Sequence, residues 1–94
     1  MFEWDARKAR SNLKKHDISF EEASAVFFDS EALDGPDISH SEFEPRYLRI
    51  GASLKDRILL VAYTLRRNED GTTKIRIISA RQANKKERKA YFGR

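Results

Sequence analysis

Cysteine is absent from the sequence, which excludes a disulfide framework, a thiolate metal site and a thiol nucleophile. Histidine occurs only twice, at His16 and His40, and two such distant residues do not by themselves argue for a metal site. Two prolines and four glycines are all that interrupt 94 residues, so a Pro/Gly-rich low-complexity chain is excluded as well. No apolar run approaches the ~18 residues of a membrane span, and Met1-Phe2-Glu3-Trp4-Asp5 lacks a secretory pattern. Gly-rich phosphate loops, GxSxG and HExxH are all missing. The expectation is a small, soluble, cytoplasmic protein with no membrane partner, no metal and no cofactor. A single domain over residues 1–94 has room for one core and two packed layers.

What the chain does have is charge and aromatic residues. Charged residues make up 36% of it, above the usual ~25%, yet six Phe, three Tyr and one Trp supply a core. The net charge of +4 conceals a segregated layout. Residues 16–45 carry nine acidic side chains and no Lys or Arg, whereas residues 74–94 carry eight basic side chains against Glu87 alone. Such segregation suggests a basic surface for a polyanion and an acidic surface facing elsewhere; each run also reads as a plainly solvated face.

Along the chain, Asp5 is placed to cap a helix from Ala6 to about Lys15, with cations in its last turn. Ser19 followed by Glu22 is a capping-box pattern for a second helix, whose apolar face is Phe20, Ala23, Val26 and Phe27. Residues 29–45 read as a loop, apart from Glu31-Ala32-Leu33 as a candidate short strand. Three strands follow, over 46–53, 57–67 and 73–79, the last two joined by the Asp70-Gly71 turn. Asn84 with Glu87 opens a terminal helix from Lys85 to about Phe92. The fold class is α+β: two N-terminal helices, a three- to four-stranded antiparallel sheet with Phe2-Glu3-Trp4 as a further edge strand or apolar anchor, and a C-terminal helix. The helices are expected together on one face.

Strand alternation sends Ile75 and Ile77 to one side and Lys74, Arg76 and Ile78 to the other. The same rule, with Leu48 and Ile50 taken as core, turns Tyr47 and Arg49 outward and sets Arg46 at the mouth. An open sheet face bearing Tyr47, Arg49, Arg76 and Tyr63 suits single-stranded RNA, arginine holding phosphate and rings stacking bases. An ordinary solvated sheet face is the plainer reading. Lys85, Arg88 and Lys89 share one face of the terminal helix and fit nucleic acid or an acidic protein partner. His16, at the end of the first helix, reads as structural, a cation suited to the helix dipole whose ring meets terminal carbonyls. His40, in a polar loop before Arg46, is a candidate general acid or base.

Several stretches together resemble the BrnT family of ribonuclease toxins from bacterial type II toxin–antitoxin systems. They are Phe2-Glu3-Trp4-Asp5 with Lys8 and Asn12, Lys15-His16, Ile18 with Phe20-Glu21-Glu22-Ala23 through Phe27 and Asp29, and Arg46 with Ile50-Gly51. The closing block is Ile75-Arg76-Ile77-Ile78-Ser79-Ala80-Arg81 with Ala83 and Glu87-Arg88-Lys89-Ala90-Tyr91. Asp17 departs from the family, which typically has glycine after Lys-His. The resemblance implies a RelE-like fold, a metal-independent endoribonuclease, and a cognate BrnA-like ribbon-helix-helix antitoxin. Operator DNA would be bound only by the toxin–antitoxin complex, through the antitoxin. Metal-free cleavage by the ribose 2′-hydroxyl fits the residues present. Arg76 and Arg81 would bind the phosphoryl oxygens with Arg46 as a third cation, and His40 or Tyr63 would transfer protons. Lys85, Arg88 and Lys89 would hold flanking phosphates. The alternative is a non-catalytic nucleic-acid-binding or partner-docking basic module.

Overall fold

The computed structural model describes residues 1–93. The chain forms β1 (Phe2–Glu3), α1 (Ala6–His16) and α2 (Phe20–Ser24), which tightens into a 3-10 turn over Ala25–Phe28. Then come β2 (Leu33–Pro36), a 3-10 turn at Ile38–His40, β3 (Tyr47–Ala52), β4 (Ile58–Arg67), β5 (Thr73–Gln82) and α3 (Lys85–Phe92).

The caps follow from the sequence chemistry. Asp5 accepts from the Lys8 amide and Ser19 from the Glu22 amide, each satisfying a helix N-terminal donor. Asn84 and Glu87 close a reciprocal capping box on α3. At Ser19 only half of a box forms, because the Glu22 carboxylate turns inward to Arg57 and Ser53. Asp17 takes the left-handed conformation (φ 58°) that ends α1, its amide donating to the Leu13 carbonyl.

The five strands lie in the order β1-β5-β4-β3-β2. β1 runs parallel to β5 and the remaining pairs are antiparallel, so the sheet is mixed and wider than the three or four antiparallel strands expected. Two residues of β1 suffice because Phe2 reaches the core and Glu3 pairs with Arg76. β5 continues three residues past the expected end at Ser79, as far as Gln82, which puts Arg81 in a strand opposite Leu60.

One sheet face is covered by α1, α2 and the 25–28 turn. Its fully buried side chains include Ile18, Phe20, Val26, Leu59, Val61 and Ile77, with Trp4 edge-on to Phe20. α3 does not join that layer. It contributes no buried residue and reaches past β3, where the Tyr91 hydroxyl donates to Asp29.

The register inverts one expected facing. Tyr47 lies opposite Tyr63, and Arg49 opposite Val61, so Tyr47 and Arg49 share the helix-covered face with core residues. Leu48 and Ile50 therefore face the other way, beside Ala62 and Leu60. Arg49 is drawn inward by what needs donors there. It donates to the carbonyls of Val26 and Asp29, pairs with Asp34, and lies 5.2 Å from the centroid of the Phe27 ring. The expected facing of Ile75 and Ile77 against Arg76 does hold, across a bulge between Ala62 and Tyr63.

Candidate active site

The sheet face opposite α1 and α2 carries a cavity of about 460 Å³. Leu48, Leu60 and Ala62 form its floor. Around them stand Arg46 and His40 from the loop before β3, Ser79 and Arg81 from β5, and His16 from the end of α1.

His40 is held from behind. Its Nδ1 lies 3.1 Å from Oδ2 of Asp37, whose side chain is 11% exposed, while the imidazole is 65% exposed. Asp37 is itself fixed, its amide donating to the Arg46 carbonyl and its own carbonyl accepting from the Ser41 hydroxyl. A carboxylate at Nδ1 selects the tautomer protonated there and leaves Nε2 to exchange a proton. The same contacts tie the His40 turn to the main chain of Arg46. Among the described residues, the Arg46 guanidinium has no ion pair and no side-chain hydrogen bond, so its donors are free for a ligand.

Arg81 is preset instead. Its two terminal nitrogens donate to the two oxygens of Glu87 at 2.8 and 2.9 Å. The Arg81 hydrogen bonds hold the Glu87 carboxyl below its usual range, and Glu87 raises Arg81 in turn. Arg81 is 39% exposed and lines the cavity, its Nη1 also donating to the Gln82 carbonyl at 3.2 Å.

The other expected site residues lie elsewhere. Arg76 shares the face opposite α1 and α2 but stands toward β1, donating to Glu3 at 2.8 Å. Tyr63 is on the opposite face, 8% exposed, packed edge-on to Phe27 and donating to Asp34 at 2.7 Å. Burial, then the Asp34 hydrogen bond, pushes its phenol well above the usual tyrosine value, so it is neither accessible nor easily deprotonated. Tyr47 stacks on Tyr63 at 5.5 Å, and Arg49 is committed to the 25–34 segment. Lys85, Arg88 and Lys89 are exposed on α3, Arg88 lying over Phe92.

Sequence reasoning missed Ser79 and the position of His16. A readable signal for the second was the spacing of Asn12 and His16, four residues apart on one helix face. Among the described residues, no group of three or more His, Asp or Glu side chains is placed to hold a metal ion, and no helix is long and apolar enough to cross a membrane.

A sheet-face cavity with two arginines and a carboxylate-held histidine has the donors to hold an anionic ligand. Comparison with known proteins narrows this further. The family model described as "Ribonuclease toxin, BrnT, of type II toxin-antitoxin system" matches residues 4–87, and the chain belongs to that family. No curated protein sequence matches. Among solved structures, the 1.1 Å crystal structure of the Brucella abortus ribonuclease toxin BrnT is similar, with a TM-score of 0.66 at 23% identity. The similarity covers 90% of this chain and 99% of the Brucella chain. The chain is thus a ribonuclease toxin of the type II toxin–antitoxin class, and such a toxin has an antitoxin partner.

Proposed function

We propose that the protein is a metal-independent, cytoplasmic endoribonuclease, and that the cavity on the sheet face opposite α1 and α2 is its active site. The observation that carries the reading is the convergence there of Arg46, Arg81 and the Asp37–His40 pair. In this mechanism the ribose 2′-oxygen bonds to the adjacent phosphorus as the 5′-oxygen leaves, giving a 2′,3′-cyclic phosphate. Charge grows on the two non-bridging oxygens, and Arg46 and Arg81 supply donors to them. His40 transfers a proton through Nε2. Arg76 and the α3 cations Lys85, Arg88 and Lys89 hold phosphates on either side of the scissile one. Tyr63, Tyr47 and Arg49 support the fold behind the sheet and take no part. The antitoxin is a BrnA-like ribbon-helix-helix protein that supplies the operator contacts of the complex.

The purified chain is expected to cut single-stranded RNA in the presence of EDTA. Arg46→Ala combined with Arg81→Ala should lower cleavage by at least about 10²-fold, the usual loss for one oxyanion donor, and should relieve growth arrest. Salt-sensitive RNA binding without scission would instead make the protein a non-catalytic binding module.

A further inference from the structure

His16 is the one charged or titratable residue of the cavity that the proposed mechanism leaves unused. α1 holds it there through an unusual joint. Beyond Ile75 and Arg76, β1 no longer covers the outer side of β5, and the main chain of Ala80 is met by a side chain. The Asn12 amide nitrogen donates to the Ala80 carbonyl at 2.8 Å, and the Asn12 oxygen accepts from the Ala80 amide at 3.1 Å. The same nitrogen donates to the Ile18 carbonyl at 3.0 Å, and Asn12 is 7% exposed. Three hydrogen bonds from one buried residue fix the last turn of α1 in register with β5. His16, one turn further on the same face, comes to rest beside Ser79, Ala80 and Arg81.

The helix end itself does not use the ring. The Leu13 carbonyl is taken by the Asp17 amide, and the Asp17 carbonyl by Arg57. Among the described residues, His16 has no hydrogen bond or ion pair, and it is half-buried at the junction of two depressions. One is the main cavity. The other, of about 190 Å³, runs along α1 and is lined by Lys8, Ser11 and Lys15. A backbone passing from one to the other crosses His16.

We propose that His16 is the second proton-transfer residue of the site, working with His40. The inference rests on the ribonuclease reading above. Cleavage by the 2′-hydroxyl moves two protons, one off the nucleophile and one onto the 5′-oxygen as the P–O bond breaks. Two imidazoles entering one cavity from different elements can divide these tasks, one neutral and one protonated, with no net change over the two transfers. The charged groups around His16 are Lys15 and Asp17 beside it in sequence and Lys8 along the cleft on α1, Arg81 from β5, and Asp37, His40 and Arg46 from the loop.

The test uses the full chain on a short RNA under steady-state conditions across pH 4.5–9, with His16→Gln and His40→Gln. Wild-type kcat should follow a bell, and each variant should lose one limb, with kcat down about 10²–10⁴-fold and KM changed less than threefold. On an RNA whose 5′-bridging oxygen is replaced by sulfur, a leaving group that needs no proton, one variant and not the other should recover. A His16→Gln enzyme with wild-type kcat, with an intact bell, or with raised KM alone would overturn the assignment and leave His16 a phosphate contact or a structural residue. A wild-type chain that cuts no RNA overturns the ribonuclease reading itself, and is thereby distinct from failure at His16. Thermal melts of both variants close to wild type separate loss of chemistry from loss of fold.

Discussion

Glu22 shows how a single carboxylate can be both a structural tie and a pH sensor for stability. Its side chain is 5% exposed and is met by Arg57 and by the Ser53 hydroxyl, joining α2 to the β3–β4 turn. The Arg57 hydrogen bonds hold it below the ordinary carboxyl value of 4.5, against a burial effect of opposite sign. A carboxyl depressed in the folded state favours folding fully above its unfolded value, and that contribution disappears as pH falls through the folded one. Wild-type stability should therefore drop as pH is lowered below about 4.5, and Glu22→Gln should flatten this part of the curve while lowering stability at pH 7. Arg57→Ala, which strands the buried carboxylate, should cost about 2–3 kcal/mol at pH 7. Urea unfolding at a series of pH values measures both; an unchanged slope in Glu22→Gln would contradict the assignment. Asp17 works on the same joint, since its left-handed backbone aims its carbonyl at Arg57. Its own ion pair with Arg57 is 3.9 Å long and 92% exposed on the Asp side, a geometry that contributes little.

At the level of elements, β3 and the 25–28 turn approach each other tightly. A Cβ on Gly51 would stand 3.0 Å from the Val26 Cβ and 3.2 Å from the Ala32 Cβ, so the strand approaches this closely only because residue 51 is glycine. Gly51→Val should lower stability by about 1–3 kcal/mol, read as a lower urea midpoint with an unchanged m-value. Local chemistry made much of the architecture readable in advance. The caps at Asp5 and Asn84, the Asp70-Gly71 turn and the three long strands are written in residues that act on their immediate neighbours. What was not readable depends on partners far away in sequence. β1 is two residues long and exists only because β5 is there to pair with it. Arg49 looks outward by alternation, yet three acceptors from the 25–34 segment draw it in. The site divides in the same way. His40 and Arg46 could be proposed from residue type and Arg81 from the family resemblance, whereas Tyr63 and Arg76 could be excluded from the cavity only once register and facing were known. His16 entered it through a hydrogen bond spanning 68 residues.

For the whole molecule, the charge segregation gains a geometry. The acidic stretch supplies internal partners, Glu22 to Arg57, Asp34 to Arg49 and Asp37 to His40. The cations of α1 and α3 remain largely exposed. If Lys85, Arg88 and Lys89 each hold a phosphate, changing all three to Gln should reduce the slope of log affinity against log salt by about 2, at roughly 0.7 per single-strand contact. Fluorescence anisotropy with an uncleavable 2′-deoxy strand reads this directly, and an unchanged slope would remove α3 from the interface. The Asn12 joint has a consequence of another kind. A sheet border with vacant amides and carbonyls is a template on which further chains can polymerise. Here Asn12 occupies that template at Ala80, and the opposite border, β2, is four residues long and ends on Pro36. Neither border offers a long run for strand addition, so the protein is guarded against fibril-like stacking at both ends of its sheet.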